Sequence, residues 1–204
     1  MRGVSHVIGI DEVGRGPLAG PLCVGACLIP KKEHRCVLAL LRGVRESKQL
    51  TEIMREEWFE RIRTVQESGR LRMVTAFVGQ RTIDDCGLAA ALRLAIKRCL
   101  SKLDVSPAQS LVLLDGGISA PDKYVFQRTI IRGDQKVPII AMASVVAKVI
   151  RDRKMRRLAK RFPTYGFDAH KGYGTRRHYE ALTAFGPCEI HRKSFLSKFR
   201  ISNT

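Results

Sequence analysis

Two short apolar segments of this chain each end in acidic side chains that glycine soon follows. The first, HVIGI, covers residues 6–10 and leads into Asp11 and Glu12, and the second, LVLL, covers residues 111–114 and leads into Asp115. Runs of this length, rich in aliphatic side chains and bounded by glycine, are typical of buried strands. Open α/β sheets place their ligand sites at the carboxyl ends of strands. The pattern therefore predicts an α/β fold with a candidate site at one edge of its sheet.

The rest of the chain alternates between strand-like and helix-like segments. Strands that come first and then alternate with helices indicate an α/β domain with a mixed sheet. Thr51 is suited to cap a helix, because its hydroxyl can accept a hydrogen bond from the first turn. Further strands are predicted at residues 22–29 and 71–78, and helices from Thr51 to Val65, from Thr82 or Asp84 onward, from Leu88 to Leu100 and from Val137 to Phe162.

Basic residues are in large excess, because 37 Lys and Arg oppose 19 Asp and Glu, for a net charge of +18. A domain this basic usually binds a polyanion, either nucleic acid or an anionic membrane. From Lys148 to the end the chain holds 15 basic and 4 acidic residues, and its helical pattern breaks at residues 163–174. We therefore expect a catalytic core over residues 1–160, followed by a basic substrate-binding region over residues 161–204, the two forming one compact unit.

Hydrophobic residues make up 45% of the chain, which is enough for a buried core. No segment reaches the roughly 18 consecutive apolar residues of a membrane-spanning helix. The first residues lack an apolar stretch of signal-peptide length, so we expect a cytoplasmic protein with no membrane partner. None of the six cysteines lies in a C-x-x-C pair, which favours reduced thiols over a disulfide framework or a zinc site.

The acids at the two strand ends each have a simpler interpretation when taken alone. Adjacent residues of a strand point to opposite faces, so Asp11 and Glu12 can serve one site only if the strand ends or bulges at Glu12. Without that, the pair is only a polar strand end. Asp115 is explained equally well as the residue that shapes the turn into Gly116 and Gly117.

Other polar residues are also ambiguous in isolation. Asp134 follows an apolar run and a glycine, but alone it is better explained as an ordinary loop acid. Asp152 lies in a very basic segment, where an intrahelical ion pair with Arg151 or Arg156 is the better explanation. The histidines near the end of the chain lie among basic residues, and we expect them to be solvated or to contact phosphate; they are His170, His178 and His191.

Taken together, the acids indicate a site for a hard cation. Carboxylate oxygens without histidine or cysteine suit Mg²⁺ or Mn²⁺. An acidic pocket would repel a polyanion, and a divalent cation that bridges carboxylates and phosphate removes this conflict. Two such cations a few ångströms apart can stabilise both the attacking and the leaving oxygen in phosphodiester hydrolysis. The combination of basic surface and clustered acids therefore predicts a nuclease.

Five sequence blocks, in order from residue 8 to about residue 195, carry a resemblance to a known family. They are IDEVGRGPLAGPLCVGA, ESKQLT, LLDGG, GDQKVPIIAMASVVAKVIRDRKM and YGFDAHKGYGTRRHYEAL with GPCEIHRKSF. The chain resembles type 2 ribonuclease H, also called ribonuclease HII. The resemblance implies a ribonuclease H-like fold, with a mixed five-stranded sheet flanked by helices and a helical, basic C-terminal region. It implies cleavage of the RNA strand of RNA–DNA hybrids, and nicking on the 5′ side of single ribonucleotides in duplex DNA that leaves 3′-hydroxyl and 5′-phosphate ends.

The resemblance also assigns roles to individual residues. It implies that two Mg²⁺ or Mn²⁺ ions bind four acids, and that a glycine-arginine-glycine loop and a stacking tyrosine read the junction. Glycines let the backbone approach a ribose closely, and the 2′-hydroxyl is what distinguishes RNA from DNA. The implied metal ligands are Asp11, Glu12, Asp115 and Asp134, the implied reading residues are Gly14, Arg15, Gly16 and Tyr173, and Lys48 is a candidate phosphate contact.

The chain departs from the family pattern at two places. Glu46-Ser47-Lys48 stands where the family usually has Asp-Ser-Lys, and Met142 stands where it usually has Ala. The related type 3 enzyme usually has Lys in the glycine loop and an extra N-terminal domain, so Arg15 and the short start favour type 2. The expected partners are RNA–DNA hybrid and ribonucleotide-containing duplex DNA, and the expected state is a monomer.

Two other functions remain open from the sequence. Another nuclease of the same fold, such as a DNA recombinase or a proofreading exonuclease, would share the clustered acids but would give the glycine loop and Tyr173 no ribose to read. A non-catalytic nucleic-acid-binding domain would explain the charge but not the separated acids at apolar strand ends.

Overall fold

The computed structural model describes residues 3–44 and 50–197, and a five-stranded sheet forms its centre. The strands are β1 (His6–Val13), β2 (Leu22–Pro30), β3 (Arg72–Val78), β4 (Ser110–Asp115) and β5 (Gln127–Ile130). Their order across the sheet is β3-β2-β1-β4-β5. Strands β1, β2 and β3 pair antiparallel, whereas β4 pairs parallel with both β1 and β5. The predicted mixed sheet of five strands is therefore confirmed.

Helices cover both faces of the sheet and form the end of the described chain. They are α1 (His34–Leu40), α2 (Glu52–Glu67), α3 (Gln80–Leu103), α4 (Gly133–Lys136), α5 (Pro138–Arg161), α6 (Phe167–His170), α7 (Arg176–Phe185) and α8 (Lys193–Leu196). Thr51 caps α2 as predicted, because its hydroxyl accepts a hydrogen bond from the Met54 N–H at 3.3 Å. The two predicted segments that start near Thr82 and Leu88 belong to one helix, α3, which is kinked at Gly87.

Alternation along the strands separates the core into two layers. Ile8 and Ile10 of β1 pack with apolar residues of α3 on one face. Cys27 and Ile29 of β2 pack on the other face against α5, together with residues of α1 and α2. Side chains of successive strand residues point to opposite faces, so Asp11 shares the α5 face with Gly9.

Two glycines allow helix α5 to lie unusually close to the sheet. A Cβ added to Gly9 would stand 2.4 Å from the Ile139 carbonyl oxygen, and one added to Gly25 would stand 2.5 Å from the Ala143 carbonyl oxygen. Gly25 is also the register partner of Asp11 on the neighbouring strand. The close approach therefore sets the depth at which the start of α5 covers the acidic end of β1.

Replacing Gly25 with Ala is expected to destabilise the fold by about 1–3 kcal/mol, because backbone rather than a flexible side chain blocks the new methyl group. Chemical denaturation of the two proteins measures the difference in unfolding free energy. Gly79→Ala is the matched control, because Gly79 precedes a helix at negative φ with nothing within 4 Å of an added Cβ. Equal stabilities for the two variants would contradict the close packing of α5.

A third apolar cluster joins the C-terminal helices to the rest of the chain. Leu18 and Ala19 pack in it with Met155, Phe167 and Leu182. Its members come from both sides of residue 160, and the division into a core and a C-terminal region stays a prediction. Over residues 3–44 and 50–197 no helix is long and apolar enough to cross a membrane.

Candidate active site

The parallel pairing of the two central strands brings two predicted acids to the same edge of the sheet. Ile10 of β1 is the register partner of Leu114 of β4, and the next residues along are Asp11 and Asp115. The two carboxylates are near enough that the charge of Asp115 raises the pKa of Asp11. Local apolar runs form the strands, and their register then determines that the acids converge.

Asp11 is the most deeply buried of the strand-end acids, with 2% of its surface exposed. Burial is the main reason that its pKa rises to about 7, and the neighbouring charges of Glu12 and Asp115 add to the effect. The Ser144 hydroxyl of α5 and the backbone N–H of Glu12 donate hydrogen bonds to the carboxylate and oppose the rise. Because these donors only partly compensate burial, the ionised form of Asp11 lacks the stabilisation that a cation would supply.

Glu12 extends the acidic site towards solvent. Its Oε1 accepts a hydrogen bond from Arg15 Nη1 at 3.1 Å, whereas its buried Oε2 has no hydrogen-bond partner within the described part of the chain. Burial raises the pKa of Glu12, the hydrogen bond and charge of Arg15 lower it, and the charge of Asp115 raises it. The carboxylate therefore faces both its neighbouring acids and the arginine that follows in the chain.

One backbone hydrogen bond joins the third acid, Asp115, to Gly133, the residue before the fourth acid. The Gly133 N–H donates to Asp115 Oδ1 at 2.6 Å, which ties the start of α4 to the end of β4. Asp134 follows Gly133 immediately and is 1% exposed. Gly133 is closely packed against α5, because an added Cβ would stand 2.7 Å from Cδ1 of Ile140.

The sequence predicts that Asp11 and Glu12 share one site only if β1 ends or bulges at Glu12, and the structure does not meet this condition. Strand β1 neither ends nor bulges at Glu12, because it continues to Val13 in unbroken register with β2. Instead its pairing with β4 stops at Ile10, which leaves the next residues without a strand on that side. The end of the partner strand, rather than of β1 itself, opens the edge at which Asp115 meets Asp11 and Glu12.

The predicted reading loop directly follows the acidic strand end. Gly14 has a φ of +93°, a conformation that favours glycine, and an added Cβ would meet the Arg151 side chain at 2.3 Å. Arg15 is exposed apart from its ion pair with Glu12, and a Cβ added to Gly16 would meet nothing within 4 Å. The loop therefore combines one position that only glycine fits with one that leaves open space beside the backbone.

Tyr173 lies across a cavity of about 200 Å³ from Glu12. The residue is 39% exposed, and its ring lies 5.8 Å from the guanidinium carbon of Arg151. Arg55 and Lys148 also line this cavity, which therefore has an acidic wall, a basic wall and an aromatic edge. Such a cavity can accept a sugar or base together with its phosphate.

The predictions for some other residues were wrong or cannot be placed. Asp152 pairs with Lys148 at 2.9 Å rather than with Arg151 or Arg156, because the Arg151 side chain turns into the protein and Arg156 pairs with glutamates of α2. His178 and His191 are not solvated, since they are 0% and 2% exposed, whereas His170 is half-buried and stacks on His178. Lys48 lies outside the described residues.

The sequence did not predict the role of two buried arginines, which bind main-chain carbonyls of the loops next to the site. Arg151 and Arg192 are fully buried, and their guanidinium groups donate to main-chain carbonyls rather than to acids. Arg151 had a detectable signal, because it occupies the apolar stripe of α5 at helical spacing between Ala147 and Met155. Arg192 has no such signal, since its partners come from the start of the chain.

The donor chemistry of the site fits a divalent cation of the magnesium type. Carboxylate oxygens are the ligands that Mg²⁺ and Mn²⁺ prefer. Glu12 Oε2, which is buried and accepts no hydrogen bond from the described residues, is available to coordinate such a cation. Within residues 3–44 and 50–197 no group of three or more acidic, histidine or cysteine side chains is placed to hold a metal ion by itself. That is compatible with Mg²⁺, which usually keeps several waters and binds one or two carboxylates together with substrate phosphate.

A mixed sheet with buried acids at the end of its central strands, in a strongly basic chain, defines a metal-dependent nuclease of the ribonuclease H type. The family model described as Ribonuclease HII matches residues 8–198. Ribonuclease HII of Caldicellulosiruptor saccharolyticus is 42% identical over 194 residues, which cover 95% of this chain and 88% of the relative. The enzyme of Chlamydia caviae is 40% identical over 95% of this chain and 85% of its own. This chain belongs to the ribonuclease HII family.

Solved structures confirm the fold at lower sequence identity. The ribonuclease HII of the PCNA complex from Archaeoglobus fulgidus superposes with a TM-score of 0.77 at 24% identity, covering 97% of each chain. Bst-RNase HIII in complex with Mn²⁺ superposes with a TM-score of 0.63 at 18% identity, covering 95% of this chain and 66% of that one. The ribonuclease H-like architecture is therefore shared well beyond the close relatives.

Proposed function

We propose that this chain nicks duplex DNA on the 5′ side of single embedded ribonucleotides, in addition to cleaving the RNA strand of RNA–DNA hybrids. The observation that carries the proposal is the cavity that Glu12 and Tyr173 line together with Val13, the residue that comes directly before the Gly14–Gly16 loop. An acidic group for hydrolysis and an aromatic ring for stacking line one space, and a backbone able to approach a ribose follows directly after Val13. Such activity would serve the removal of misincorporated ribonucleotides.

Asp11, Glu12, Asp115 and Asp134 are the proposed metal ligands. Two divalent cations bound there would lower the pKa of the attacking water and stabilise the leaving 3′-oxygen. Asp11 contributes its buried charge, Ser144 orients that carboxylate, and the Gly133 N–H holds Asp115 at the edge of the sheet. The products would carry 3′-hydroxyl and 5′-phosphate ends.

Substrate selection would rest on the two glycines, on Arg15 and on Tyr173. Backbone N–H groups of the loop can hydrogen-bond a 2′-hydroxyl, which deoxyribose lacks. The exposed guanidinium of Arg15 can exchange Glu12 for a phosphate oxygen, because a planar fork matches both anions. The Tyr173 ring can stack on the sugar or base next to the ribonucleotide.

The basic wall of the cavity is suited to bind the phosphates that flank the ribonucleotide. Burial lowers the pKa of Lys148, and its ion pair with Asp152 opposes that shift. The Arg55 side chain donates to the Leu50 carbonyl. Arg55 and Lys148 therefore place positive charge in the cavity that Glu12 also lines, where a nucleic-acid strand would pass.

Replacing Arg55 with Gln is expected to weaken duplex binding and to reduce the slope of log affinity against log salt concentration by about 1, because one phosphate contact is lost. Fluorescence anisotropy with an all-DNA duplex at several salt concentrations measures this slope. Arg63→Gln is the control on the same helix, since Arg63 pairs with Glu60 and Glu67 at the surface. Equal slopes for both variants would exclude Arg55 from the strand path.

A panel of three duplexes tests the proposed function as a whole. The duplexes are all-DNA, DNA with one ribonucleotide and a continuous RNA–DNA hybrid, each incubated with and without Mn²⁺. We expect Mn²⁺-dependent cleavage of the second and third only. Cleavage of all-DNA duplex would favour another nuclease of this fold, and binding without any cleavage would favour a non-catalytic domain.

A further inference from the structure

The two proposed reading elements come from distant parts of the sequence and meet across a shared backbone segment. Leu18 donates its N–H to the Gly172 carbonyl at 2.8 Å, next to Tyr173, while the Arg192 N–H donates to the Leu18 carbonyl at 2.8 Å. Gly20 donates its N–H to the Ile190 carbonyl at 2.9 Å. The segment after the glycine loop is therefore held between the tyrosine loop and residues 190–192.

Arg192 fixes the orientation of the glycine loop through its carbonyl groups. Its buried guanidinium donates to the Gly14 carbonyl at 2.6 Å, to the Arg15 carbonyl at 2.9 Å and to the Gly20 carbonyl. The C=O and the following N–H of a planar trans peptide point in opposite directions. Because Arg192 turns these two carbonyls inward, the N–H groups of Arg15 and Gly16 point away from it.

His191, the preceding residue, reaches the tyrosine loop through a second histidine. The Cys188 N–H donates to His191 Nδ1 at 2.9 Å, so the proton of the neutral ring is on Nε2. That nitrogen lies 3.0 Å from His178 Nε2, which therefore accepts, and His178 Nδ1 then donates to the Tyr173 carbonyl at 2.9 Å. The three hydrogen bonds have one consistent direction.

Both rings are held in the neutral form that this chain of hydrogen bonds requires. Burial lowers the pKa of His191 to about 4, with a further contribution from the charge of His178. Burial likewise lowers the pKa of His178. Phe167 contacts both rings edge-on or tilted, and His170 stacks on His178.

We propose that Arg192 and His191 are positioning residues for ribonucleotide recognition, Arg192 by orienting the Gly14–Gly16 loop and His191 by holding Tyr173 through His178. The inference rests on the proposed function, because it assigns a purpose to the loop and the tyrosine. Because His191 and Arg192 are neighbours in the chain, a shift of their backbone would move both the Gly14–Gly16 loop and Tyr173.

Two replacements of His178 separate positioning from packing. Phe keeps the ring volume next to Phe167 and His170 but removes the donor to the Tyr173 carbonyl. Asn loses the ring but keeps an amide N–H near the position of Nδ1. A purely structural role predicts greater harm from Asn, whereas positioning predicts that His178→Phe lowers kcat/KM about tenfold on the one-ribonucleotide duplex and that His178→Asn retains more activity.

The His178→Phe replacement is then repeated in a Tyr173→Ala background. Positioning predicts that its effect on kcat/KM largely disappears there, since no ring remains to be oriented, while its effect on thermal stability stays the same. Equal losses of kcat/KM in both backgrounds, or greater harm from Asn than from Phe, would overturn the role of the histidines.

Arg192→Lys tests the other half of the device, because Lys keeps the charge but cannot reach three carbonyls at once. We expect at least about a tenfold loss of kcat/KM on the one-ribonucleotide duplex with unchanged affinity for all-DNA duplex. Arg161→Lys, an exposed arginine paired with Glu189, is the control. Unchanged kcat/KM, or a matching loss of all-DNA affinity, would overturn this role.

The wild-type protein, assayed on the same duplexes, distinguishes the two levels of the argument. If wild type does not nick at the ribonucleotide, the proposed function fails and the positioning role with it. If wild type nicks and the variants behave as controls, only the positioning role fails. If Arg192→Lys does not fold, the His178 variants still decide the role of the histidines.

Discussion

Asp115→Asn is expected to reduce cleavage of a one-ribonucleotide duplex by at least about 10³-fold, because a metal ligand supplies several kcal/mol of transition-state stabilisation. The fold should be retained, since the asparagine oxygen can still accept the Gly133 N–H hydrogen bond that Asp115 accepts now. Removing one charge also relieves repulsion with Asp11 and Glu12, so the metal-free variant should be no less stable than wild type.

Single-turnover cleavage in Mn²⁺ measures the rate, and anisotropy with the uncleaved duplex measures binding. Duplex affinity should be largely unchanged, because basic side chains elsewhere provide the phosphate contacts. Asp122→Asn is the control, an acid that belongs to none of the proposed ligands. Turnover of Asp115→Asn near the wild-type rate would contradict the assignment of the acids.

The raised pKa of Asp11 predicts a large pH effect on the stability of the metal-free protein. Its pKa is about 7 in the folded state against 3.8 as the ordinary value, so between these two pH values the folded protein holds a proton that the unfolded chain releases. The free energy of unfolding therefore falls as pH rises through this range, by on the order of 4 kcal/mol, and levels off above pH 7.

The comparison of wild type with Asp11→Asn isolates this effect. The lowered pKa values of His178 and His191 act in the opposite direction, because they reduce stability as pH falls below 6.5, and both proteins share them. As pH rises from 4 to 7, the unfolding free energy of wild type should fall relative to that of Asp11→Asn, because the asparagine does not titrate. A difference that does not change with pH would contradict the raised pKa of Asp11.

Added Mn²⁺ should reverse this trend in wild type alone. Metal ligands must be deprotonated, so binding displaces the Asp11 proton and stabilises the folded state more at high than at low pH. Thermal denaturation with and without Mn²⁺ in both proteins shows whether the stabilisation depends on Asp11.

Much of the fold follows from local patterns in the chain. The strand at residues 22–29 and the helix that begins after Thr51 lie where aliphatic runs and a cap predict them, because their formation depends mainly on nearby residues. Strand β5 has only four residues and no apolar alternation, so its pairing with β4 becomes visible only in the folded sheet.

The candidate site was predictable as a set of acids but not as an arrangement. The sequence places Asp11 and Asp115 at strand ends, whereas their proximity depends on the register between β1 and β4. The basic surroundings of the histidines near the end of the chain also suggest that these side chains are solvated or contact phosphate. His178, His191 and Arg192 are buried instead, because main-chain groups and ring nitrogens satisfy their hydrogen bonds, and those of Arg192 come from the start of the chain.

Anomalous diffraction from crystals soaked in Mn²⁺ tests the central claim most directly, because it locates the metal without reference to activity. The account predicts manganese within ligand distance of the carboxylates of Asp11, Glu12 and Asp115, and no peak there in crystals of Asp115→Asn. Manganese bound only at other acids, such as the glutamates of α2, would contradict it.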